Sequence, residues 1–296
     1  MKALVFGMSG QDGHYLGEAC RTRGIEVIGV SRSSGDWLQG DVASFEFVET
    51  IIQDRKPDLV FHLAANSTTR HDALFEHHHT IGEGTLNILE SVRRWTPESK
   101  VFITGSGLQF VNNGDPIAET DPFDDGSSYA VVRNYSVHAA RYYRQLGLKT
   151  YVGYLFHHES PLRKPNHLSQ LIAQAVLRIA GGSNERIELG DISVRKEWTF
   201  AGDVAEAMIT LVSQDTVFEA VIGSGQAHSV EEWLNVCFCA IGRDWRQYVT
   251  LKDNFTAEYP LLMSDPCTIH SLGWHPRVSL SDLACMMLGK SNNESR

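Results

Sequence analysis

The sequence predicts a doubly wound parallel α/β protein with a smaller mixed α/β domain attached. Two observations predict the sheet and a third predicts the attachment. Short apolar runs alternate with helical patterns through the first half of the chain, and glycines at positions 7, 10 and 13 follow the first run. A strand that is apolar along its whole length buries both faces, which a parallel sheet covered by helices on each side provides. Beyond about residue 156 the alternation loosens and ends in a Trp- and Tyr-rich C-terminal stretch.

In chain order, a strand at 3–6 leads through the glycine turn to a helix at 14–23. A strand at 26–30 is followed by a helix at 45–55, one at 59–63 by a helix at 84–95, and one at 101–104 by a helix at 128–146. A strand at 151–156 closes the series. Each strand is a continuous apolar run bounded by turn-forming or polar residues, and the intervening helices supply the parallel crossovers. Helices at 168–179 and 204–212 belong to the looser second half. The expected division is 1–155 for the sheet domain, with segments around 198–225 returning to it, and 156–296 mainly for the second domain.

Composition excludes several classes. At 296 residues, 42% hydrophobic and 21% charged, the chain reads as an ordinary globular protein with a sizeable core. A net charge of −10 gives no basic surface for phosphate backbones, so nucleic acid is not an expected partner. The apolar start is interrupted by Lys2, and no 18-residue apolar run occurs, so neither a signal peptide nor a membrane partner is expected and the default location is cytoplasmic. Five cysteines without CxxC spacing support neither a disulfide framework nor a metal site. The tail 290–296 reads as disordered.

The chemistry begins at the glycine turn. Glycines spaced by three between a first strand and a first helix let the backbone turn sharply and approach a pyrophosphate at the helix N-terminus, the Rossmann arrangement for a dinucleotide. The second strand ends in Val30-Ser31-Arg32-Ser33-Ser34, a cation with hydroxyls and no carboxylate. That set suits the 2′-phosphate of NADP, with NAD also possible. The competing reading makes Arg32 a solvated loop charge. Asp41 and Val42 follow a short loop and could meet the adenine.

Farther on stand Ser106, Tyr129 and Arg133. Tyr129 and Arg133 are four residues apart on one expected helix, so a guanidinium can sit beneath a phenol and favour its ionised form. A Tyr so placed can pass a proton to or from a sugar hydroxyl while a nicotinamide moves a hydride at the same carbon. The spacing alone is common on surface helices; the preceding glycine turn gives it weight.

Together these residues resemble the extended short-chain dehydrogenase/reductase superfamily, also called the NAD-dependent epimerase/dehydratase family. Within it the chain is most similar to GDP-mannose 4,6-dehydratases and GDP-4-keto-6-deoxymannose reductases. The matching stretches run from Gly7 to Leu16, Arg55 to Ala65, Ser128 to Val132, Leu155 to Pro161, Arg195 to Trp198 with Asp203, Gly225 to Val230, and Gly273 to Arg277. The resemblance implies that Gly7, Ser9, Gly10, Gln11, Asp12, Gly13, Arg32, Ser33, Asp41, Val42, Leu63, Ala64, Ala65, Tyr129 and Arg133 bind the cofactor. It implies catalytic roles for Ser106, Tyr129 and Arg133, and substrate binding by Ser67, His157, His158, Glu159, Arg195, Lys196 and Glu258. It also implies a homodimer, paired through the helices at 84–95 and 128–146.

The departures are as informative. Ser106-Gly107-Leu108 keeps the family's hydroxyl but lacks the Glu two residues on. Dehydration across C5 and C6 needs a base and an acid, tasks a Leu side chain cannot perform. Arg133 stands in place of Lys, His157 in place of Asn, Phe255 in place of a phosphate-contacting Arg, and Lys196 in place of another Arg. Between Arg32 and Asp41 the loop is shorter than the tetramer-forming arm of the dehydratases.

Three further features carry bland readings. His77-His78-His79 is expected to be solvated or to stand at a helix entry and not to bind a metal, because adjacent helical residues point in different directions. Cys237 and Cys239 are expected on a helix packed in the core, and the acidic run 119–125 in a solvated loop. The expected activity is an NADP-dependent oxidoreductase acting at C4 of a nucleoside-diphosphate sugar, GDP preferred, most simply a 4-keto-sugar reductase. The alternatives are a divergent 4,6-dehydratase with Glu159 as the replacement carboxylate, and a catalytically silent cofactor- or nucleotide-sugar-binding protein.

Overall fold

The structure, a computed structural model, describes residues 1–253 and 255–290. The first part runs β1 (Lys2–Phe6), α1 (Gln11–Thr22), β2 (Glu26–Ser31), β3 (Leu38–Gln39), α2 (Phe45–Arg55), β4 (Leu59–His62), α3 (Leu74–His77), α4 (Gly84–Trp95), β5 (Lys100–Ser106), α5 (Ser128–Gln145) and β6 (Lys149–Leu155). It continues with β7 (His158–Glu159), α6 (Leu168–Ala180), β8 (Ile187–Leu189), β9 (Arg195–Glu197), β10 (Thr199–Phe200), α7 (Ala201–Val212) and β11 (Glu219–Ile222). The last elements are β12 (Ala227–Ser229), α8 (Val230–Cys239), β13 (Val249–Leu251), β14 (Leu261–Leu262), α9 (Cys267–Ser271) and α10 (Leu280–Met287).

A seven-stranded parallel sheet in the order β11-β6-β5-β4-β1-β2-β3 forms the centre, as the alternation of runs and helices predicts. Alternate residues of β1 enter different cores: Leu4 and Phe6 pack beneath α2, α4 and α5, whereas Ala3 and Val5 pack beneath α1 and α7. Both faces of the sheet are therefore dry, which is why these strands read as uninterrupted apolar runs. The segment 199–222 carries α7 against α1 and adds β11 to the sheet edge beside β6. A third core joins α6, α8 and α10 with Ile187, Leu189 and Trp198, whose indole stacks on Trp233 at 4.7 Å.

Several expectations are corrected. Helix α1 starts at Gln11, three residues before the expected position, so Gln11, Asp12 and Gly13 form its first turn. His77 is not solvated: it is fully buried at the end of α3, its ring edge-on to Tyr129, while His78 and His79 are exposed. Cys237 is in the core but Cys239 is exposed. Glu119 does not belong to a solvated loop, since it accepts hydrogen bonds from Thr268 and from the Val221 amide and so ties that loop to α9 and β11. Lys290 is bonded through its amide to the Cys285 carbonyl; the rest of the expected disordered tail, 291–296, lies outside the described residues. Among the described residues no helix is long and apolar enough to cross a membrane.

Candidate active site

The carboxyl ends of β2 and β4 flank that of β1 around the glycine turn, and β5 lies beyond β4. Gly7 adopts φ 97°, open to glycine but strained for other residues, and a Cβ there would come within 2.7 Å of the Ala64 nitrogen. At Gly13 a Cβ would strike the Gly7 carbonyl and approach Met8 Cα to 2.7 Å, so this glycine lets the helix pack on the turn. Gly10 differs: a Cβ there meets only the Gly7 oxygen, at 3.4 Å, and its outer side is open. The N-terminus of α1 has no side-chain cap, so its first N–H groups remain free for an anion. The turn thus fits the pyrophosphate of a dinucleotide. Gly13→Ala should weaken dinucleotide affinity by about tenfold or more, because the added carbon meets backbone that cannot yield. Fluorescence titration measures this, and unchanged affinity would remove the turn from the binding site.

Around it, the Ser9 and Ser31 hydroxyls bond at 2.7 Å and hold the turn to the end of β2. Arg32 is not a free solvated charge: its guanidinium pairs with Glu76 at 3.1 Å. Ser33 stays exposed, its carbonyl taken by the Trp37 indole. Leu63 and Ala64 press their backbone against Gly7, and Ala65 is exposed beyond them. Asp41 caps the following turn by accepting from the Ala43 amide. Val42 is a correction, since its side chain lies in the core and its carbonyl accepts from Asn87, leaving no side-chain contact to offer a ligand.

Ser106 ends β5 and caps the short 3₁₀ turn Gly107–Gln109, its hydroxyl accepting from the Leu108 amide while Gln109 accepts from the Ser106 amide. Accepting a backbone N–H leaves the Ser106 hydroxyl proton available to a substrate oxygen. Gln109 also donates to Asn134 on α5, and Asn134 donates to the Asp124 carbonyl. These bonds lock the turn that carries Ser106 to the helix that carries Tyr129. Tyr129 packs with Ile81 and Val132, and Leu108 packs against the same cluster. Arg133 is 4% exposed, lies 5.1 Å from the Tyr129 ring centroid and donates Nη1 to the Thr104 carbonyl. Its Nε has no partner. A buried cation with an orphaned donor near the carboxyl end of β5 fits a ribose hydroxyl. Burial and the Arg133 charge push His62, below it on β4, down to about 4.

The second half contributes a polar network. His158 does not face a sugar pocket: its Nε2 lies 2.9 Å from Asp12 and its Nδ1 2.7 Å from the Phe156 carbonyl, so it braces the first turn of α1. Burial opposes the charge, but Asp12 holds the imidazole above its usual range. Gln11 is held similarly, accepting from Ser160 at 2.9 Å. His157 donates Nδ1 to the Glu197 carbonyl, and its Nε2 meets Lys196 Nζ at 3.0 Å and Glu159 at 3.0 Å. Burial and Lys196 push His157 down to about 4, with Glu159 opposing. Glu159 is fully buried; burial would raise its carboxyl, but His157 and the Arg163 guanidinium hold it down to about 2. Arg195 turns away from Lys196 to the Ala227 carbonyl, Glu258 is exposed on an irregular segment, and Ser67 is exposed after β4.

The family described as GDP-mannose 4,6 dehydratase matches residues 32–287 of this chain. Among relatives, GDP-mannose 4,6 dehydratase 2 of Arabidopsis thaliana is 31% identical, over 97% of this chain and 85% of its own length. The human GDP-mannose 4,6 dehydratase is 29% identical, over 97% and 90%. The chain belongs to the GDP-mannose 4,6-dehydratase family. Solved structures share the fold: Thermus thermophilus UDP-glucose 4-epimerase, complexed with NAD, superposes with a TM-score of 0.83 at 22% identity over 98% of both chains. RMD from Pseudomonas aeruginosa, complexed with NADPH, gives 0.82 at 20% identity over 97% of both.

Leu108, two residues after Ser106, packs as an apolar side chain against the cluster that holds Tyr129. Glu159 does not serve as a carboxylate there, being buried and paired with Arg163 and His157. Gln109, Asn134, Glu76, Asn66 and Arg163 escape a reading of the sequence. Only Gln109 leaves a local signal there, the Ser-x-x-Gln spacing of a capping box.

Proposed function

We propose that the chain is a nicotinamide-dinucleotide-dependent enzyme acting at C4 of a nucleoside-diphosphate sugar, most simply a 4-keto-sugar reductase with NADPH. The observation that supports this reading is that the turn carrying Ser106 is bonded through Gln109 to Asn134 on the helix that carries Tyr129, with Leu108 of that turn, not a carboxylate, packed in the Tyr129 cluster. The bound dinucleotide supplies the hydride. Tyr129 donates its phenolic proton to the C4 carbonyl oxygen as that oxygen gains charge. Ser106 donates to the same oxygen and fixes its direction. Arg133 holds the ribose through its orphaned Nε and presents positive charge to the Tyr129 ring. The division of labour follows the chain: 1–155 with the returning segment 198–225 for the dinucleotide, and 156–296 mainly for the sugar nucleotide.

A second reading, a 4,6-dehydratase, is favoured by the names of the relatives. The two differ in cofactor balance, because a dehydratase regenerates its dinucleotide internally and a reductase consumes it. Incubation with GDP-mannose, without added NADPH, followed by mass spectrometry decides: loss of water establishes the dehydratase. Oxidation of NADPH upon addition of a nucleotide-linked 4-keto-6-deoxy sugar establishes the reductase.

Lys196 is a cation that could meet the diphosphate. Burial pushes it down to about 8, with Glu159 opposing and Arg163 adding to the shift. Its positive charge is present below that value and lost above it. GDP affinity should therefore fall by about tenfold between roughly pH 7 and pH 9, and Lys196→Arg should flatten the profile. A flat wild-type profile would remove Lys196 from the phosphate site. The homodimer is proposed on an exposed stripe along α5 and its C-cap, where Val131, Tyr135, Tyr142 and the capping Leu146 follow one face and are 46%, 41%, 56% and 51% exposed.

A further inference from the structure

Arg32 directly follows β2, whereas Asn66 lies in the connection after β4 and Glu76 in α3 beyond it. Because β1 lies between β2 and β4 in the sheet, the three side chains meet above the carboxyl end of β1 and its glycine turn. Glu76 is gripped from two sides: Arg32 Nη2 donates to Oε1 at 3.1 Å and Asn66 Nδ2 to Oε2 at 2.9 Å. Asn66 first, and Arg32 next, hold this carboxyl below the usual carboxylate range, so it is an anion at neutral pH. The Arg32 and Glu76 side chains are 55% and 40% exposed, and an ion pair so exposed is weak enough for a bound anion to contest.

We infer that Glu76 sets the choice between dinucleotides with and without a 2′-phosphate. The inference rests on the reading that the glycine turn binds a nicotinamide dinucleotide. Two effects act in the same direction. Arg32 can engage a 2′-phosphate fully only by leaving Glu76, and a phosphate placed beside Arg32 also stands close to the Glu76 charge. A 2′-hydroxyl carries no charge and can donate to a carboxylate, the group that the end of β2 lacks and that α3 brings across the cleft. Glu76 thus offsets the preference that Arg32 alone would create, and Asn66 is a positioning residue that aims it.

The test titrates NADPH and NADH, separately and at fixed ionic strength, into the full chain and reads nicotinamide fluorescence. Glu76→Gln should tighten NADPH binding by about fivefold and leave NADH unchanged or weaker; retained NADH binding also reports that the variant is folded. Asn66→Ala should shift the ratio the same way by a smaller factor. Adding Arg32→Ala to Glu76→Gln should remove the gain. Equal shifts for both dinucleotides, or an unchanged ratio in Glu76→Gln, overturn the inference while leaving the dinucleotide site standing. Failure of the unaltered chain to bind either dinucleotide overturns the site and the inference together.

Discussion

Replacing Tyr129 by phenylalanine should lower turnover by about 10²–10⁴-fold, the contribution of a positioned general acid, while dinucleotide affinity stays within about twofold. The side-chain packing explains why the two readouts separate. The Tyr129 ring rests on Ile81 and Val132, takes the edge of His77 and lies 5.1 Å from the Arg133 guanidinium. Phenylalanine keeps all of these ring contacts and loses only the hydroxyl. The fold and the Arg133 position therefore survive, and the missing proton donor is the only change at the reacting oxygen. Steady-state kinetics beside a dinucleotide titration measures both quantities. Turnover that persists at the wild-type rate would take Tyr129 out of the mechanism.

The largest loss of stability is expected at Glu197. Its side chain is fully buried, and its two oxygens accept from the Ser264 amide and hydroxyl, both at 2.6 Å, from the Ser224 amide and hydroxyl, and from the Gly225 amide. One carboxylate thereby joins β9 to the turn between β11 and β12 and to the segment after β14. Burial pushes its carboxyl above the usual range, against the donors that favour the anion. Glu197→Ala leaves three backbone amides without an acceptor and opens a cavity, which together cost about 3–5 kcal/mol. Scanning calorimetry should show a fall in Tm of roughly 10 °C. Glu197→Gln keeps the volume but turns an amide N–H toward donors, so its loss should be smaller. A Tm within about 2 °C of wild type for the alanine variant would mean that water or a neighbouring group replaces the carboxylate.

Legibility followed sequence distance. The doubly wound sheet was readable because each strand, dry on both faces, is an apolar run in its own right. Helices α2 and α4 fall on their expected bounds. The glycine turn and the Tyr129–Arg133 pair were readable too, since one turn and one helix face are set by residues a few positions apart. Glu159 was misjudged: its carboxyl type suggested a base, but burial beside His157 and Arg163 removes it from solvent. His77 was misjudged for the converse reason, since a run of three histidines reads polar while its first member packs under Tyr129.

By itself the sequence determined the fold class, the glycine cradle and the placing of Tyr129 and Arg133 on one helix face, because local spacing and apolar periodicity dictate backbone direction over one element. Only the tertiary structure decided which distant side chains share a charge. Arg32 finds Glu76 across 44 positions, and His158 finds Asp12 across 146. No periodicity encodes such pairs. They arise where parallel crossovers bring the ends of separate strands to one edge of the sheet, and burial there determines which groups stay charged.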